Sequence, residues 1–330
     1  MTGHRPVVPN GKAPVRAEAC KGPRGGRKRD GRWMHADQIH VRADQARDLI
    51  HDQFPQFRGE DVVALATAGT VNAIFRIGAS HVARFPLRMM DAADCARLLQ
   101  AEAQASAEFG RFSPFPGPET VGFGRPGSGY PLPWLVQTWI DGEVATPDGL
   151  CGSSAFALDL ARLIASLRAA PLRGRTFDGR GRGGNLADHD AWMEKCFSRS
   201  GHLLDVERLR GMWRGFRELP PPTGDVMSHK DLIPANLLVR DGRLAGVLDT
   251  GSFGAADPAL DLVAGWHLLD RETRAIFREA LRIGDAEWRR GAAWAFQQAM
   301  GLVWYYELTN PIMSGLGRST ISRLLADPPE

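Results

Sequence analysis

The segment from Ser228 to Gly251 reads SHKDLIPANLLVRDGRLAGVLDTG, and it decides both the fold class and the chemistry that the chain can support. Two apolar runs in it flank Asp241-Gly242, a dipeptide that favours the two-residue turn of a β-hairpin. In such a hairpin, the residue that enters the first strand and the residue that leaves the second lie at the same open end. The pattern therefore predicts that Asn236 and Asp249 meet there, with Asp231 on the loop that leads to them.

Asp231, Asn236 and Asp249 together would bring two carboxylates and one amide oxygen to one point. Oxygen ligands of this kind suit Mg²⁺, which usually takes one or two protein carboxylates and completes its shell with substrate phosphates. Their spacing from His229 also matches the catalytic loop of kinases, H-x-D-x-x-x-x-N followed by Asp-x-Gly. Phosphoryl transfer needs mainly positioning and charge neutralisation, which a metal clamp and one well-placed carboxylate supply. The segment thus predicts a phosphoryl-transfer site.

This segment, continued by ADPALDL at 256–262, resembles the aminoglycoside phosphotransferase family, bacterial kinases of antibiotics and other small molecules with a protein-kinase-like fold. Outside residues 228–262 the resemblance is less specific, although the order of elements is compatible with the family along nearly the whole chain. The roles that it implies are a catalytic base or hydroxyl-orienting carboxylate at Asp231, a loop organiser at His229, Mg²⁺ ligands at Asn236 and Asp249, and structural support of the loop by Asp261.

The resemblance also implies a phosphate-binding cation in the N-terminal part of the chain. The strand HVARFP at 81–86 resembles the family segment in which a Lys, or in some branches an Arg, precedes an apolar residue and Pro, so Arg84 is the expected cation. Its partner would be a helix glutamate, and Glu102 suits this role better than Glu108, which lies nearer the helix end. Arg84 departs from the commonest pattern, but a planar guanidinium still binds phosphate in a bidentate manner. Lys230, where the family often has Gly, is a second departure.

Four further positions would contact the nucleotide. Gly69 and Thr70 lie in a segment, AGTVN at 68–72, that resembles the loop covering the phosphates. The buried-strand pattern WLVQTWI at 134–140 follows a Pro- and Gly-rich stretch at 113–133. It lies where the family places the hinge between its lobes, so backbone groups of Gln137 and Trp139 would bond the adenine. The implied cofactors are Mg²⁺ and ATP, with GTP as the alternative nucleotide.

The patterns along the rest of the chain predict an α+β, two-lobed protein-kinase-like fold. The N-terminal nucleotide-binding lobe, residues 34–138, would contain a small antiparallel β-sheet and one crossing helix over 91–109, with Gly110 as its stop. The C-terminal catalytic and substrate-binding lobe, residues 139–330, is predicted to be larger and mainly helical. Within it, we interpret Gly181 to Gly184 as a mobile surface segment, since no buried strand precedes it and no P-loop lysine follows.

The net charge of +3 is distributed unevenly along the 330 residues. Residues 1–33 carry nine basic and two acidic side chains, so the rest of the chain has a net charge of −4. We interpret residues 1–33 as a disordered basic leader outside the native protein, whose start would be Met34. Nucleic-acid binding by this leader is a disfavoured alternative, because aromatic residues are not interleaved with its basic ones. Neither an apolar run of membrane-spanning length nor a secretory signal occurs, which predicts a cytoplasmic protein.

We therefore expect an ATP-dependent O-phosphotransferase that transfers the γ-phosphoryl group to a hydroxyl of a small molecule. An aminoglycoside-type antibiotic is the favoured acceptor, because acidic residues in the large lobe would suit a polycation, and antibiotic resistance would follow. Macrolides, homoserine and choline-type amino alcohols stay open, since one scaffold serves several acceptors. A catalytically silent, nucleotide-binding pseudokinase is the alternative from another class, although no metal or base position is missing. The sequence indicates neither the phosphorylated hydroxyl nor the oligomeric state.

Overall fold

The computed structural model describes residues 39–65 and 71–329 of the chain. The predicted leader, the predicted start at Met34, and the expected phosphate loop at Gly69 and Thr70 lie outside the described residues. Within the described ranges, a β-rich unit comes first and a mainly helical unit follows it, in the order that the sequence predicts.

The N-terminal unit is an antiparallel sheet that packs against two helices. Its elements in chain order are α1 (Ala43–Gln53), β1 (Val62–Leu65), β2 (Asn72–Ile77), β3 (His81–Pro86), α2 (Ala92–Phe112), β4 (Thr120–Gly124) and β5 (Trp134–Thr138). The strands lie in the order β1-β2-β3-β5-β4, and each neighbouring pair is antiparallel. The predicted small antiparallel sheet with one crossing helix is therefore confirmed.

Helix α2 runs past its predicted stop. Gly110 stays inside the helix, which ends where the N–H of Ser113 donates to the carbonyl of Phe109 at 2.9 Å. Phe109 is fully buried, and Phe112 packs against the core of the helical unit. Their burial outweighs the cost of an internal glycine, which is about 1 kcal/mol. The prediction of a stop at Gly110 is therefore wrong.

Aromatic side chains fill the core between the sheet and its helices. Phe85 of β3 and Trp134 of β5 are fully buried and stack with their ring centroids 4.6 Å apart. Gly124 of β4 makes room for the indole, because a Cβ at this position would lie 1.9 Å from Cε2 of Trp134. Successive side chains of a strand point to opposite faces, so Arg84, which precedes Phe85, lies on the face away from this core.

The C-terminal unit consists of helices around two small antiparallel sheets. Its elements in chain order are β6 (Glu143–Val144), α3 (Ser154–Arg168), α4 (Asp190–Ser200), α5 (Val206–Arg217), β7 (Val226–Ser228), β8 (Leu237–Arg240), β9 (Arg243–Val247), β10 (Gly254–Ala256), α6 (Val263–Leu268), α7 (Arg271–Leu281), α8 (Asp285–Tyr305) and α9 (Pro311–Ala326). One sheet has the order β6-β8-β9, and β7 pairs with β10 in the other. None of the helices in the described ranges combines the length and the apolar character that a membrane crossing needs.

The β8–β9 hairpin forms as the sequence predicts. Asp241 and Gly242 have φ angles of 52° and 71°, and positive φ at both positions is typical of the type I′ turn that Asp-Gly favours. At the open end, the N–H of Leu248 donates to the carbonyl of Asn236 at 2.8 Å. Asn236, which precedes β8, and Asp249, which follows Leu248, therefore lie next to each other along the backbone at the open end of the hairpin.

A buried charge pair ties the loop after β10 to helix α8. The carboxylate of Asp257 is fully buried and accepts hydrogen bonds from the guanidinium of Arg290, from Nε1 of Trp294 at 2.7 Å and from the N–H of Ala259 at 2.9 Å. Arg290 is 3% exposed and also donates to the carbonyl of Pro220 at 2.7 Å. Because both charges are removed from water, each depends on the other for its stabilisation.

Removing one partner of this buried pair should destabilise the protein strongly. Arg290→Met keeps most of the side-chain length but leaves Asp257 without its cation, so we expect the free energy of unfolding to fall by about 3–5 kcal/mol. Arg210→Met is the matched control, because Arg210 pairs with Glu194 at the surface, where ion pairs contribute little. Urea unfolding, monitored by tryptophan fluorescence, measures the free energy of unfolding of both variants. Equal losses in the two variants would contradict a strong stabilisation by the buried pair.

A second buried polar group joins three helices. His267 of α6 is fully buried; its Nδ1 lies 2.7 Å from Oγ1 of Thr320 on α9, and its Nε2 lies 3.1 Å from Oε1 of Gln298 on α8. Burial lowers the pKa of His267 to about 4, and the hydrogen bond to Gln298 and the charge of Asp231 offset this only in part. The imidazole is therefore neutral in the folded protein near pH 7.

The free energy of unfolding should consequently fall in mild acid. Below pH 6.5 the unfolded chain binds a proton on His267 that the folded protein does not bind until about pH 4, so this contribution to stability decreases as the pH falls. Relative to His267→Gln, which does not titrate, the wild type should lose about 2 kcal/mol between pH 8 and pH 5. Urea unfolding at each pH measures this difference, and a difference that stays constant would disprove a neutral His267.

Candidate active site

The loop that follows β7 is anchored by the carboxylate of Asp261, which is 2% exposed. Its Oδ2 accepts from the N–H of His229 at 2.9 Å, and its Oδ1 accepts from the N–H of Lys230 at 3.0 Å. Hydrogen bonds to a charged acceptor are stronger than neutral ones, so two of them fix the start of the loop. The structure thus places Asp261 where the sequence predicts a support for the loop.

Lys230 has a backbone conformation that glycine adopts more readily than a residue with a side chain. Its φ angle is 73°, in the left-handed region, which costs a residue with a side chain about 1–2 kcal/mol. This cost is offset by two hydrogen bonds that the N–H of Lys230 donates, one to Asp261 and one to Oγ of Ser228 at 3.0 Å. The lysine therefore preserves the course of the loop that a glycine would take without strain.

His229 connects the loop to the end of strand β9. It is fully buried, and its Nε2 donates to the carbonyl of Leu248 at 2.9 Å. Its Nδ1 is then the acceptor nitrogen, and the N–H of Asp231 points at it from 3.3 Å. These contacts connect His229 to both the loop and the strand end, so an organising role stays the expectation for it.

Asp231 has a partly exposed carboxylate with each oxygen in a different environment. Oδ1 accepts from Nη2 of Arg182 at 2.7 Å and from Nε2 of Gln298 at 2.8 Å. Oδ2 lies 3.3 Å from Nδ2 of Asn236, which also donates to the carbonyl of Asp231 at 2.9 Å. The side chain is 31% exposed, so a small molecule in the cleft can reach it.

Asn236 and Asp249 are the two residues that the sequence predicts as ligands of a divalent cation. Asn236 directs its amide nitrogen at Asp231, which leaves its Oδ1 as the atom that can reach a cation. Asp249 follows strand β9 in the left-handed conformation, with φ 53° and ψ 45°. One carboxylate and one amide oxygen suit Mg²⁺ when phosphate oxygens complete its shell. Within the described residues, no group of three or more His, Cys, Asp or Glu side chains could hold a metal ion by itself.

Glu102 of α2 connects the small sheet to the cation site. Its Oε2 lies 3.8 Å from Nη2 of Arg84 on β3, so the structure brings this predicted pair together. Burial raises the pKa of the Glu102 carboxyl, the Arg84 guanidinium lowers it, and the negative charge of Asp249 raises it again. The influence of both charges indicates that Glu102 lies near the Arg84 guanidinium and near the Asp249 carboxylate.

The turn after Asp249 packs directly on α2. Oγ1 of Thr250 donates to Oγ of Ser106 at 2.9 Å. Gly251 lies against the preceding turn of the helix, where a Cβ would be 3.0 Å from both Cβ and Cγ of Glu102. The glycine therefore suits the close approach of the helix, and it lets Glu102 lie against the turn that follows Asp249.

The two residues expected at the adenine occupy different environments. Gln137 lies on β5, which is placed between β3 and β4 in the sheet, and its Oε1 accepts from Nη1 of Arg84 at 3.4 Å. The N–H of Trp139 donates to the carbonyl of Ser80 at 2.7 Å, and the Arg76 guanidinium lies 3.7 Å from the centroid of its indole ring. The N–H of Trp139 is therefore engaged within the protein, and its carbonyl is the backbone group that stays a candidate for the nucleotide.

Arg182 is a site residue that sequence reasoning missed. The loop from Gly181 to Gly184 is docked on the helical unit, because the N–H of Asp257 donates to the carbonyl of Gly183 at 2.7 Å. Docking places the Arg182 guanidinium on Asp231, so the interpretation of this loop as a mobile surface segment is wrong. The alternation of Gly and Arg in the loop indicates close backbone approach, but it does not indicate the residue approached.

Gln298 is the second site residue that was missed. It is 6% exposed on helix α8, among fully buried Trp294, Ala295, Phe296 and Ala299. A polar side chain in such an apolar stretch must find hydrogen-bond partners, and this requirement is the signal that could have drawn attention to it. Its partners, Asp231 and His267, are far away in the sequence, so only the folded chain identifies them.

Comparison with solved structures supports the same fold. The GDP complex of wild-type aminoglycoside 2'-phosphotransferase-IIIa has a TM-score of 0.64 and 17% identity over 87% of this chain and 99% of that chain. The GDP and kanamycin complex of APH(2")-IIia gives 0.66 and 18% over 86% and 99%, and the apoenzyme of macrolide 2'-phosphotransferase MphH from Brachybacterium faecium gives 0.57 and 17% over 86% and 98%. These likenesses show the kinase-like α+β fold. No curated protein gives a significant match.

The family comparison covers both units of the fold. The model of the phosphotransferase enzyme family matches residues 62–294, from strand β1 to the middle of helix α8. The matched range includes the loop anchored by Asp261, the hairpin and the Arg84–Glu102 pair. Because it spans more than two thirds of the 330 residues, the chain belongs to the phosphotransferase enzyme family and is an enzyme that transfers a phosphoryl group to a hydroxyl acceptor.

Proposed function

We propose that the enzyme uses ATP and Mg²⁺ to phosphorylate a hydroxyl group of a small molecule. The observation that carries this proposal is that Asn236 donates to Asp231 while its carbonyl accepts from Leu248, the residue before Asp249, at the open end of the hairpin. Phosphoryl transfer depends chiefly on positioning and on neutralisation of charge. The arrangement supplies a carboxylate for the acceptor hydroxyl and two oxygen ligands for the cation, and it therefore favours an active enzyme over a silent nucleotide-binding protein.

In the proposed reaction, the acceptor hydroxyl lies against the carboxylate of Asp231. The hydroxyl oxygen forms a bond to the γ-phosphorus, the bond between this phosphorus and the β,γ-bridging oxygen breaks, and the nucleoside diphosphate leaves. The hydroxyl proton passes to Asp231 as the bond forms and then to solvent. Mg²⁺, when it is bound by Asn236 and Asp249, would neutralise charge on the phosphates.

The nucleotide would lie under the N-terminal sheet, with Arg84 at its phosphates. The guanidinium is held by Glu102 at 3.8 Å and by Gln137 at 3.4 Å, so it is directed before the nucleotide arrives. ATP is the proposed donor and GTP the alternative, because the structural relatives include GDP complexes and an ADP-bound enzyme. Both nucleotides are abundant in the cytoplasm, which is the proposed location.

An aminoglycoside-type antibiotic is the first candidate for the acceptor. Several similar structures are aminoglycoside phosphotransferases, among them complexes with kanamycin and gentamicin. The structure weakens one argument for such a polycation, since some acidic side chains of the helical unit are already paired within the protein. Asp190 pairs with Arg217, and Glu194 pairs with Arg210.

A macrolide-type or other acceptor of low charge is the second candidate, and Arg182 favours it. Its guanidinium lies 2.7 Å from Oδ1 of Asp231, so a cation already stands beside the carboxylate that receives the acceptor. A polycationic acceptor would meet like charge at this point, and a neutral or singly charged acceptor would not. The macrolide phosphotransferases among the structural relatives are compatible with this choice.

Replacing the proposed base should abolish transfer without preventing nucleotide binding. Asp231→Asn keeps the size of the side chain but cannot accept the hydroxyl proton, so we expect kcat to fall by about 10²–10⁴. The Kd for ATP should stay within about twofold, because the residue contacts the acceptor. A coupled ATP-turnover assay and titration calorimetry measure these quantities.

Asp241→Asn is the matched control for this experiment. Asp241 lies at the closed end of the hairpin with a positive φ, which Asn tolerates well, so turnover should match the wild type. Turnover by Asp231→Asn at the wild-type rate would refute the proposed reaction.

The two acceptor candidates can be separated with Arg182→Gln. We compare kcat/KM for kanamycin with kcat/KM for a macrolide, so that any general loss of activity cancels in the ratio. If Arg182 disfavours polycations, the ratio should rise at least about tenfold in the variant, as expected when a like charge is removed at close range. Arg180→Gln, in the same loop, is the control. A ratio unchanged by Arg182→Gln would remove the argument for the second candidate.

A further inference from the structure

A line of buried hydrogen bonds runs from helix α9 to the carboxylate of Asp231. Oγ1 of Thr320 lies 2.7 Å from Nδ1 of His267, Nε2 of His267 lies 3.1 Å from Oε1 of Gln298, and Nε2 of Gln298 lies 2.8 Å from Oδ1 of Asp231. Thr320 and His267 are fully buried, and Gln298 is 6% exposed. The line therefore connects the interior of the helical unit to the catalytic carboxylate.

The direction of every hydrogen bond in this line follows from the charge at its end. The carboxylate of Asp231 can only accept, so Gln298 must turn its NH₂ group to Asp231 and its carbonyl oxygen to His267. The carbonyl oxygen also only accepts, so Nε2 of His267 must carry a proton. The neutral imidazole then has an unprotonated Nδ1, which accepts from the hydroxyl of Thr320.

A second acceptor for the Thr320 hydroxyl does not permit a different arrangement. Its Oγ1 also lies 2.9 Å from the carbonyl of Leu316, one turn earlier on α9. If the proton pointed there, Nδ1 of His267 would have to donate and Nε2 would be bare. Gln298 would then turn its NH₂ group to His267 and its carbonyl oxygen to the carboxylate of Asp231, which places two acceptors against each other.

We propose that Gln298 is the positioning residue of the catalytic carboxylate. Held by His267 and Thr320, it fixes Oδ1 of Asp231 and so turns Oδ2 to the acceptor hydroxyl. This inference rests on the proposed function, and it assigns the reacting oxygen. Oδ2 has the weaker contact, 3.3 Å to Nδ2 of Asn236, whereas Oδ1 has two donors within 2.8 Å.

The two donors on Oδ1 differ in how firmly they are held. Arg182 is 28% exposed and donates to Asp231 through Nη2, while its buried Nε has no hydrogen-bond partner among the described residues. Gln298 is buried on a helix, and its carbonyl is held by His267, so its NH₂ group has one orientation. The fixed direction of the carboxylate therefore comes from Gln298, and the charge beside it comes from Arg182.

Gln298→Met tests the proposal because it keeps the unbranched side chain and removes the donor. We expect kcat to fall about 10- to 100-fold, since a reacting group displaced by about 1 Å costs this much. The KM for ATP should change less than about twofold, because the nucleotide is bound elsewhere. The probe is Mg²⁺-ATP with the most active acceptor among kanamycin, gentamicin, a macrolide, homoserine and choline, and in parallel with water alone as the acceptor.

Gln297→Met is the matched control on the same helix. Nε2 of Gln297 lies 3.2 Å from Nδ1 of His189 and not at Asp231, so this variant removes a neighbouring buried amide of equal size. Both variants should have similar melting temperatures, and only Gln298→Met should lose kcat. Equal losses of kcat and melting temperature in the two variants would show a structural role and overturn the proposal, as would full activity of Gln298→Met.

Variants of His267 test whether the line acts through Gln298. His267→Gln places an amide nitrogen where Nε2 lies and can still donate to Gln298, so it should retain kcat within about threefold. His267→Phe cannot donate and should lose kcat as Gln298→Met does. The double variant His267→Phe with Gln298→Met should be no slower than either one, because both changes remove the same constraint. If the losses of kcat in the two single variants add up in the double variant, His267 and Gln298 act independently, and this result would contradict the proposal that His267 acts through Gln298.

The results separate this inference from the proposed function. If Asp231→Asn retains wild-type turnover, the proposed reaction fails, and the inference fails with it. If Asp231→Asn is inactive and Gln298→Met is fully active, the reaction stands and the positioning role alone is overturned. Loss of kcat in Asp231→Asn and in Gln298→Met, together with retained kcat in His267→Gln, supports both the proposed reaction and the positioning role.

Discussion

The arrangement of the whole site depends on one carboxylate that accepts two consecutive backbone hydrogen bonds. Asp261 holds the N–H groups of His229 and Lys230, and this allows Lys230 to keep a left-handed conformation that its side chain disfavours. Only with that turn does the chain bring Asp231 to the cleft and return to enter strand β8 at Asn236. The course of the loop that carries Asp231, the proposed base, thus depends on the buried carboxylate of Asp261.

The parts of the site that the sequence predicts are those specified by local signals. Asp241-Gly242 predicts a tight hairpin, and a tight hairpin brings the residues at its two ends together whatever surrounds it. The meeting of Asn236 and Asp249 therefore follows from the order of residues along the chain. The prediction that Arg84 pairs with Glu102 came from the family resemblance and not from a local signal. In the structure these side chains lie 3.8 Å apart.

Contacts across long stretches of sequence could not be predicted in the same way. Arg182 and Gln298 reach Asp231 from positions 49 and 67 residues away, and no period or turn signal indicates such a meeting. Gly110 shows the opposite error, since a strong local signal for a helix end was overridden by burial of Phe109. Local chemistry predicts turns and strand ends, while packing decides which side chains surround the reacting carboxylate.

Gly251 has a consequence for the geometry of the nucleotide cleft. The glycine lets α2 come so close that a Cβ would lie 3.0 Å from Cβ of Glu102. A Cβ at this position would require Glu102, which is also the partner of Arg84, to move by a few tenths of an ångström. The spacing between α2 and the turn after Asp249 is therefore matched to a residue that has no side chain.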